Sequence, residues 1–213
     1  MNVTMVYPTT EREMALIASG RSPVAGVDEV GRGALAGPVV AAAVLDNWET
    51  QRAWHGCIRD SKQLSANSRA RLYDYIATDC LSFGVGIVDS TDIDAVGIVA
   101  ATRQAMYLAL DALSTPPGFV LVDWVVLARL GGAHEALPKG DCKCLSIACA
   151  SIVAKVTRDR LMEQFDSSHP GYGFTLHKGY GTASHLRVLE TQGASSIHRV
   201  SFRPVGLVTR RLI

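Results

Sequence analysis

Apolar residues in this chain come in short runs that switch between helical and strand periods. Residues 9–19 follow a helical period, with Thr9 or Thr10 placed to cap the start and Gly20 to end it. Residues 24–30 and 38–45 are small or β-branched, the composition of buried strands, and the short Gly31–Gly37 connection predicts a hairpin. Residues 46–56 are polar and irregular and are expected at the surface. A helix is predicted over 65–79, capped by Ser65, with Leu72, Tyr75 and Ile76 on its apolar face. Residues 82–88 alternate as a third strand. Asp92 or Asp94 then leads into a helix over 95–113, ended ahead of Pro116-Pro117. The apolar run 119–123 predicts a central strand that the intervening helix makes a parallel neighbour of the first. A glycine-bounded loop over 131–140, a helix over 146–162 and a further helix over 183–191 complete the pattern. Strands alternating with helices predict an α/β fold.

Two of these strands end in acids. Val24 to Val27 runs directly into Asp28 and Glu29, and Val120 to Val122 runs into Asp123. Adjacent strand residues point to opposite faces, so Asp28 and Glu29 cannot both lie on one solvent face. A buried carboxylate costs several kcal/mol unless it is paired or bound to a cation. The following residues offer only Arg32, so a divalent metal is the simplest way to satisfy the pair. The plain alternative is two strand-end acids standing in water. Gly31-Arg32-Gly33-Ala34-Leu35-Ala36 also fits a loose dinucleotide-binding pattern, but that pattern needs a helix next and Gly37-Pro38 opens a strand instead. Asp123 sits where open α/β sheets place ligands. Asp141 is read either as a cap of the helix that follows or as a further metal-facing carboxylate.

At 213 residues, 48% hydrophobic and 19% charged, the chain has the bulk of one globular domain with a small appendage. No apolar run approaches the roughly 18 residues of a membrane span, and residues 1–8 lack the basic start and apolar core of a signal peptide. We expect a cytoplasmic monomer with no membrane association, its five cysteines free. Residues 1–166 carry 15 Lys/Arg against 19 Asp/Glu, whereas residues 167–213 carry 6 against 1 and add His169, His177, His185 and His198. A basic segment beside an acid-bearing body suits a polyanionic substrate, and aromatics interleaved with bases over 169–182 can stack on sugars or bases.

Taken in order, Asp28-Glu29-Val30-Gly31-Arg32-Gly33, Asp60-Ser61-Lys62, Leu121-Val122-Asp123, Lys139-Gly140-Asp141-x-Lys143, the Ala-Ser-Ile-x-Ala-Lys run at 150–155, His177-Lys178-Gly179-Tyr180-Gly181-Thr182 and His198-Arg199-x-Ser201-Phe202 resemble the ribonuclease HII (type 2 ribonuclease H) family. The resemblance spans about Val24 to Val205. It implies a ribonuclease H-like mixed sheet flanked by helices over 1–166 and a small helical, substrate-binding extension over 167–213. It implies an endonuclease acting on RNA in RNA–DNA hybrids and 5′ of ribonucleotides embedded in duplex DNA, leaving 3′-hydroxyl and 5′-phosphate ends. Asp28, Glu29, Asp123 and Asp141 take the catalytic metal-binding positions. Gly31, Arg32, Gly33, Lys62, Lys143 and Tyr180 take the substrate-binding ones, with the turn reading a 2′-hydroxyl and Tyr180 stacking on a deoxyribose. All-oxygen ligands favour Mg²⁺ or Mn²⁺, two ions in a hydrolytic mechanism. Trp124 departs from the family, which usually has glycine there, and Cys144 and Cys149 replace commoner Ser and Ala. The competing readings are a general nuclease of similar fold and a hybrid-binding protein without catalysis.

Overall fold

The computed structural model describes residues 7–59, 61 and 64–211. Five strands, β1 (Val24–Val30), β2 (Val39–Leu45), β3 (Ser82–Val88), β4 (Phe119–Asp123) and β5 (His134–Leu137), form one sheet in the order β3-β2-β1-β4-β5. β1, β2 and β3 pair antiparallel, as the predicted hairpin requires, and β4 runs parallel to both β1 and β5. Among the described residues no helix is long and apolar enough to cross a membrane.

Strand alternation sorts the core into two layers. Val24, Ala42, Val44 and Leu121 pack beneath helix α5 (Leu145–Ser168), while Val27, Ala41, Ala43, Val120 and Val122 pack beneath α4 (Ile98–Asp111). α5 lies close to the sheet because its first half is small. A Cβ on Gly26 would stand 2.1 Å from the carbonyl carbon of Ser146, so β1 accepts only glycine there. α1 (Glu11–Ala18) and α2 (Ala66–Asp79, capped by the Ser65 hydroxyl) complete the α5 side. The last quarter folds as α6 (Phe174–His177), α7 (Ala183–Gln192) and α8 (Arg203–Arg211), and packs on the connection between β1 and β2.

Several expectations change. The single helix over 95–113 is two, α3 (Ser90–Val96) and α4, broken at Gly97 with φ +80°; Asp89 is the cap, accepting from Asp92 N at 2.9 Å. Asp94 instead accepts from the backbone N–H groups of Val200 and Ser201. The loop over 131–140 holds β5, a four-residue edge strand too short and too exposed to show a period. Residues 46–56 are not a plain surface loop: Trp48 and Trp54 are buried, and buried Asp46 pairs with Arg52 at 2.7 Å. Asp141 does not cap α5. It lies in a 3₁₀ turn over 140–142, and Cys144 holds the cap position.

Candidate active site

The parallel register that sets Val27 beside Val122 carries the next residues, Asp28 and Asp123, to one sheet edge. By alternation Asp28 turns to the α5 face, where Ser151 lines the same cleft, and Glu29 turns to the other. Asp123 Oδ1 accepts from Gly140 N at 2.7 Å, which ties the turn bearing Asp141 to the end of β4. All four acids line a single cleft of about 390 Å³, together with Ser61, Ser151, Lys155 and Tyr180. Ser151 in turn meets Ser61 Oγ at 3.1 Å.

The cleft is electrostatically costly. Burial first, then the charges of Glu29 and Asp123, hold the Asp28 pKa well above the usual carboxylate range. Burial also raises Glu29, opposed chiefly by the Arg32 guanidinium 3.4 Å away. Glu29 Oε2 is buried with no hydrogen-bond partner. Lys155 is committed to Asp159 at 2.6 Å and does not neutralise the four acids. An orphaned carboxylate oxygen among crowded acids is a deficit of positive charge, and the donor set is oxygen throughout. That fits Mg²⁺ or Mn²⁺. Among the described residues no three ligand-type side chains close on one point; Mg²⁺ needs only one or two carboxylates, because waters and substrate phosphates fill its octahedron.

Beside the cleft the Gly31-Arg32-Gly33 turn has two different glycines. Gly31 has φ +93°, and a Cβ there would stand 2.2 Å from Arg158 Nε. Gly33 is exposed with open space where a Cβ would be, so a ligand can approach its backbone closely. Two fully buried arginines support the turn from beneath. Arg158 donates to Pro38 O, Ala36 O and Lys178 O at 2.8–3.1 Å. Arg199 donates to Gly37 O through Nε and Nη2 and to Arg32 O through Nη1. Burial and the nearby Arg158 charge push the Arg199 pKa down to about 9, still protonated at neutral pH. Backbone pairings Ala34–Tyr180 and Ala36–His198 complete the brace. Behind Tyr180, His185 Nδ1 lies 3.0 Å from Tyr180 O and His185 Nε2 lies 3.0 Å from His198 Nε2.

Trp124 follows Asp123 with φ +46°, and Val125 N donates to Asp123 O at 2.6 Å across it. A three-residue turn with positive central φ is rare for a side-chain-bearing residue and costs on the order of 1–2 kcal/mol. Of the expected substrate-binding residues, Tyr180 lines the cleft and Arg32 pairs with Glu29; Gly33 and Lys143 are exposed and outside the cleft lining. Lys62 lies outside the described residues. Sequence reasoning assigned no role to Ser151 and Lys155, although their spacing of four on one helix already set them on one face. Arg158 carried no signal at all, and Arg199 appeared only within a motif.

A mixed five-stranded sheet with parallel strands ending in acids at one cleft, covered by a long helix, defines a ribonuclease H-like nuclease. The family model "Ribonuclease HII" matches residues 25–205, and the chain belongs to the ribonuclease HII family. It is 46% identical over 200 residues to the ribonuclease HII of Dehalococcoides mccartyi, covering 94% of this chain and 95% of that protein. It is 51% identical over 195 residues to the ribonuclease HII of Listeria monocytogenes, covering 91% and 72%. Among solved structures it is similar to ribonuclease H2 from Pyrococcus horikoshii, with a TM-score of 0.76 and 25% identity over 88% of this chain and 97% of that one.

Proposed function

We propose that this protein is a metal-dependent endonuclease that cuts RNA in RNA–DNA hybrids and the phosphodiester 5′ of a ribonucleotide embedded in duplex DNA, leaving 3′-hydroxyl and 5′-phosphate ends. The observation that carries this reading is one cleft of four crowded carboxylates beside an open glycine turn. Asp28, Glu29, Asp123 and Asp141 would hold two Mg²⁺ or Mn²⁺ ions, which supply an activated water nucleophile and Lewis-acid stabilisation of the leaving oxygen. Asp123 also fixes the Asp141 turn, so one side chain sets two ligands. The exposed Gly33 backbone is free to approach a sugar, whose 2′-hydroxyl donates and accepts where a deoxyribose does neither. Arg158 and Arg199 keep the turn in place while that contact forms. Tyr180, at the cleft wall, has its ring 5.4 Å from the Arg158 guanidinium and is placed to stack on a neighbouring deoxyribose. Residues 167–213 serve as the substrate-binding extension.

The test is incision of a DNA duplex carrying one ribonucleotide, with Mg²⁺, Mn²⁺ or chelator, beside an all-DNA control. Metal-dependent cutting 5′ of the ribonucleotide alone is expected, with Tyr180→Ala slowing it. Equal cutting of the control would move the protein to a general nuclease.

A further inference from the structure

We propose that Trp124 is a positioning residue that locks the sugar-reading turn to the metal-binding carboxylates. Three observations support this. The Trp124 ring lies 4.3 Å from the Arg32 guanidinium carbon, a cation–π stack. The same guanidinium pairs with Glu29 at 3.4 Å, so the ring reaches the acid through Arg32. The Trp124 backbone is held in the left-handed region, in a turn that glycine would occupy without strain. Trp48 and Trp54 are buried, whereas Trp124 is 47% exposed at the rim, so burial of the indole does not account for the strained backbone. Strain kept at a site edge is a reason to look for work done by the side chain.

Here the work is a relay from Trp124 through Arg32 to Glu29. The ring flattens Arg32, whose buried Nε has no partner, and Arg32 in turn meets Glu29 Oε1 and leaves the buried Oε2 without a protein partner. Two unsatisfied atoms of opposite character, one on the carboxylate and one on the turn, are thus held ready for ligands. The inference deepens the reading above and rests on it for the identity of the substrate.

The experiment compares the wild type with Trp124→Gly, Trp124→Phe, Arg32→Ala and the Trp124→Gly/Arg32→Ala double variant. Three quantities are read: melting temperature, Mn²⁺ affinity by titration without nucleic acid, and kcat/KM on the single-ribonucleotide duplex relative to an all-DNA duplex. Loss of an outer partner of a ligand costs about 10–100-fold in metal affinity, so Trp124→Gly, which frees Arg32 from Glu29, should bind Mn²⁺ at least about tenfold more weakly, while Trp124→Phe should stay near the wild type. Trp124→Phe keeps a ring over Arg32 and should retain most of the preference for the ribonucleotide; Trp124→Gly should lose it. The double variant should cut no more slowly than Arg32→Ala, because the two changes remove one coupled contact. Trp124→Gly should melt within about 2–3 °C of the wild type, since released strain offsets lost packing. Wild-type Mn²⁺ affinity in Trp124→Gly, or multiplying effects in the double variant, overturns the proposal. If the wild type itself does not cut the ribonucleotide duplex, the functional reading falls and the Mn²⁺ titration alone decides on the lock.

Discussion

The cleft and the brace beneath the neighbouring turn bury charge in opposite ways. On one side of the Gly31-Arg32-Gly33 turn, four carboxylates share a cleft with one committed lysine and one arginine at 3.4 Å. On the other, Arg158 and Arg199 are fully buried without a carboxylate between them, yet six donated hydrogen bonds to backbone carbonyls satisfy their forks. An arginine can be made comfortable by carbonyls because its donors spread over a planar fork. A carboxylate crowded by carboxylates has no such recourse and stays in deficit. The arginine pair is therefore foundation, and the acid cluster is where the proposed cations would be held.

The sharpest way to break this comparison is to neutralise one acid. Asp28→Asn or Asp123→Asn should lower cleavage by roughly 10³-fold or more, since in the proposed mechanism the acids act as a unit in holding metal. The same variants, free of metal, should melt no lower than the wild type, because a repelling charge has gone from a desolvated place. Calorimetry without added metal, set beside a cleavage assay, checks both halves. A marked fall in melting temperature would make these acids structural, and full activity in both would dissolve the site.

Cutting the foundation should do the reverse. Arg158→Met removes three donors from buried carbonyls and leaves them unpaired, a loss of about 3–5 kcal/mol by the usual cost of breaking a buried polar group's partner. Arg158→Lys keeps the charge and loses the fork, and should fall between. Urea unfolding measures the difference. A cost under about 1 kcal/mol for Arg158→Met would mean that the turn is held by backbone pairing alone.

The two regions also differ in how far sequence reveals them. Asp28, Glu29 and Asp123 were legible because their oddity is local: acids at the ends of apolar strands. The hairpin, β3 and α2 with its Ser65 cap were legible for the same reason, as was the parallel β4. The brace was not, since Arg158 meets carbonyls about 120 residues earlier in the chain and Arg199 meets them more than 160 earlier. Trp124 stood out as a residue type, but the sign of its φ has no signature in composition. Gly97 was the overlooked mark of the break between α3 and α4, and β5 shows no period because its four residues are all half-buried.

The smallest effect we expect separates the brace further from the acids, by pH. His185 Nδ1–H donates to Tyr180 O, so its Nε2 is an acceptor and His198 Nε2 must carry the proton that joins them at 3.0 Å. His198 Nδ1 then accepts from Ser195 N at 2.9 Å and from Ser195 Oγ at 2.8 Å. Both rings are neutral in this chain, and burial with His185 as neighbour pushes the His198 pKa down to about 4. A base whose folded pKa lies below its unfolded value near 6.5 takes up protons first in the unfolded chain. Its contribution is intact above pH 6.5 and is lost as pH falls toward 4, by up to about 3 kcal/mol at the low end. Carboxylates add their own acid dependence, so the quantity to read is the difference between the wild type and His198→Gln in urea at pH 7 and at pH 4.5. The gap between the two proteins should narrow by 1–3 kcal/mol at the lower pH, by the linkage of that one histidine. Parallel losses would show that His198 is not held neutral, and the hydrogen-bond chain behind Tyr180 would have to be drawn with a different proton count.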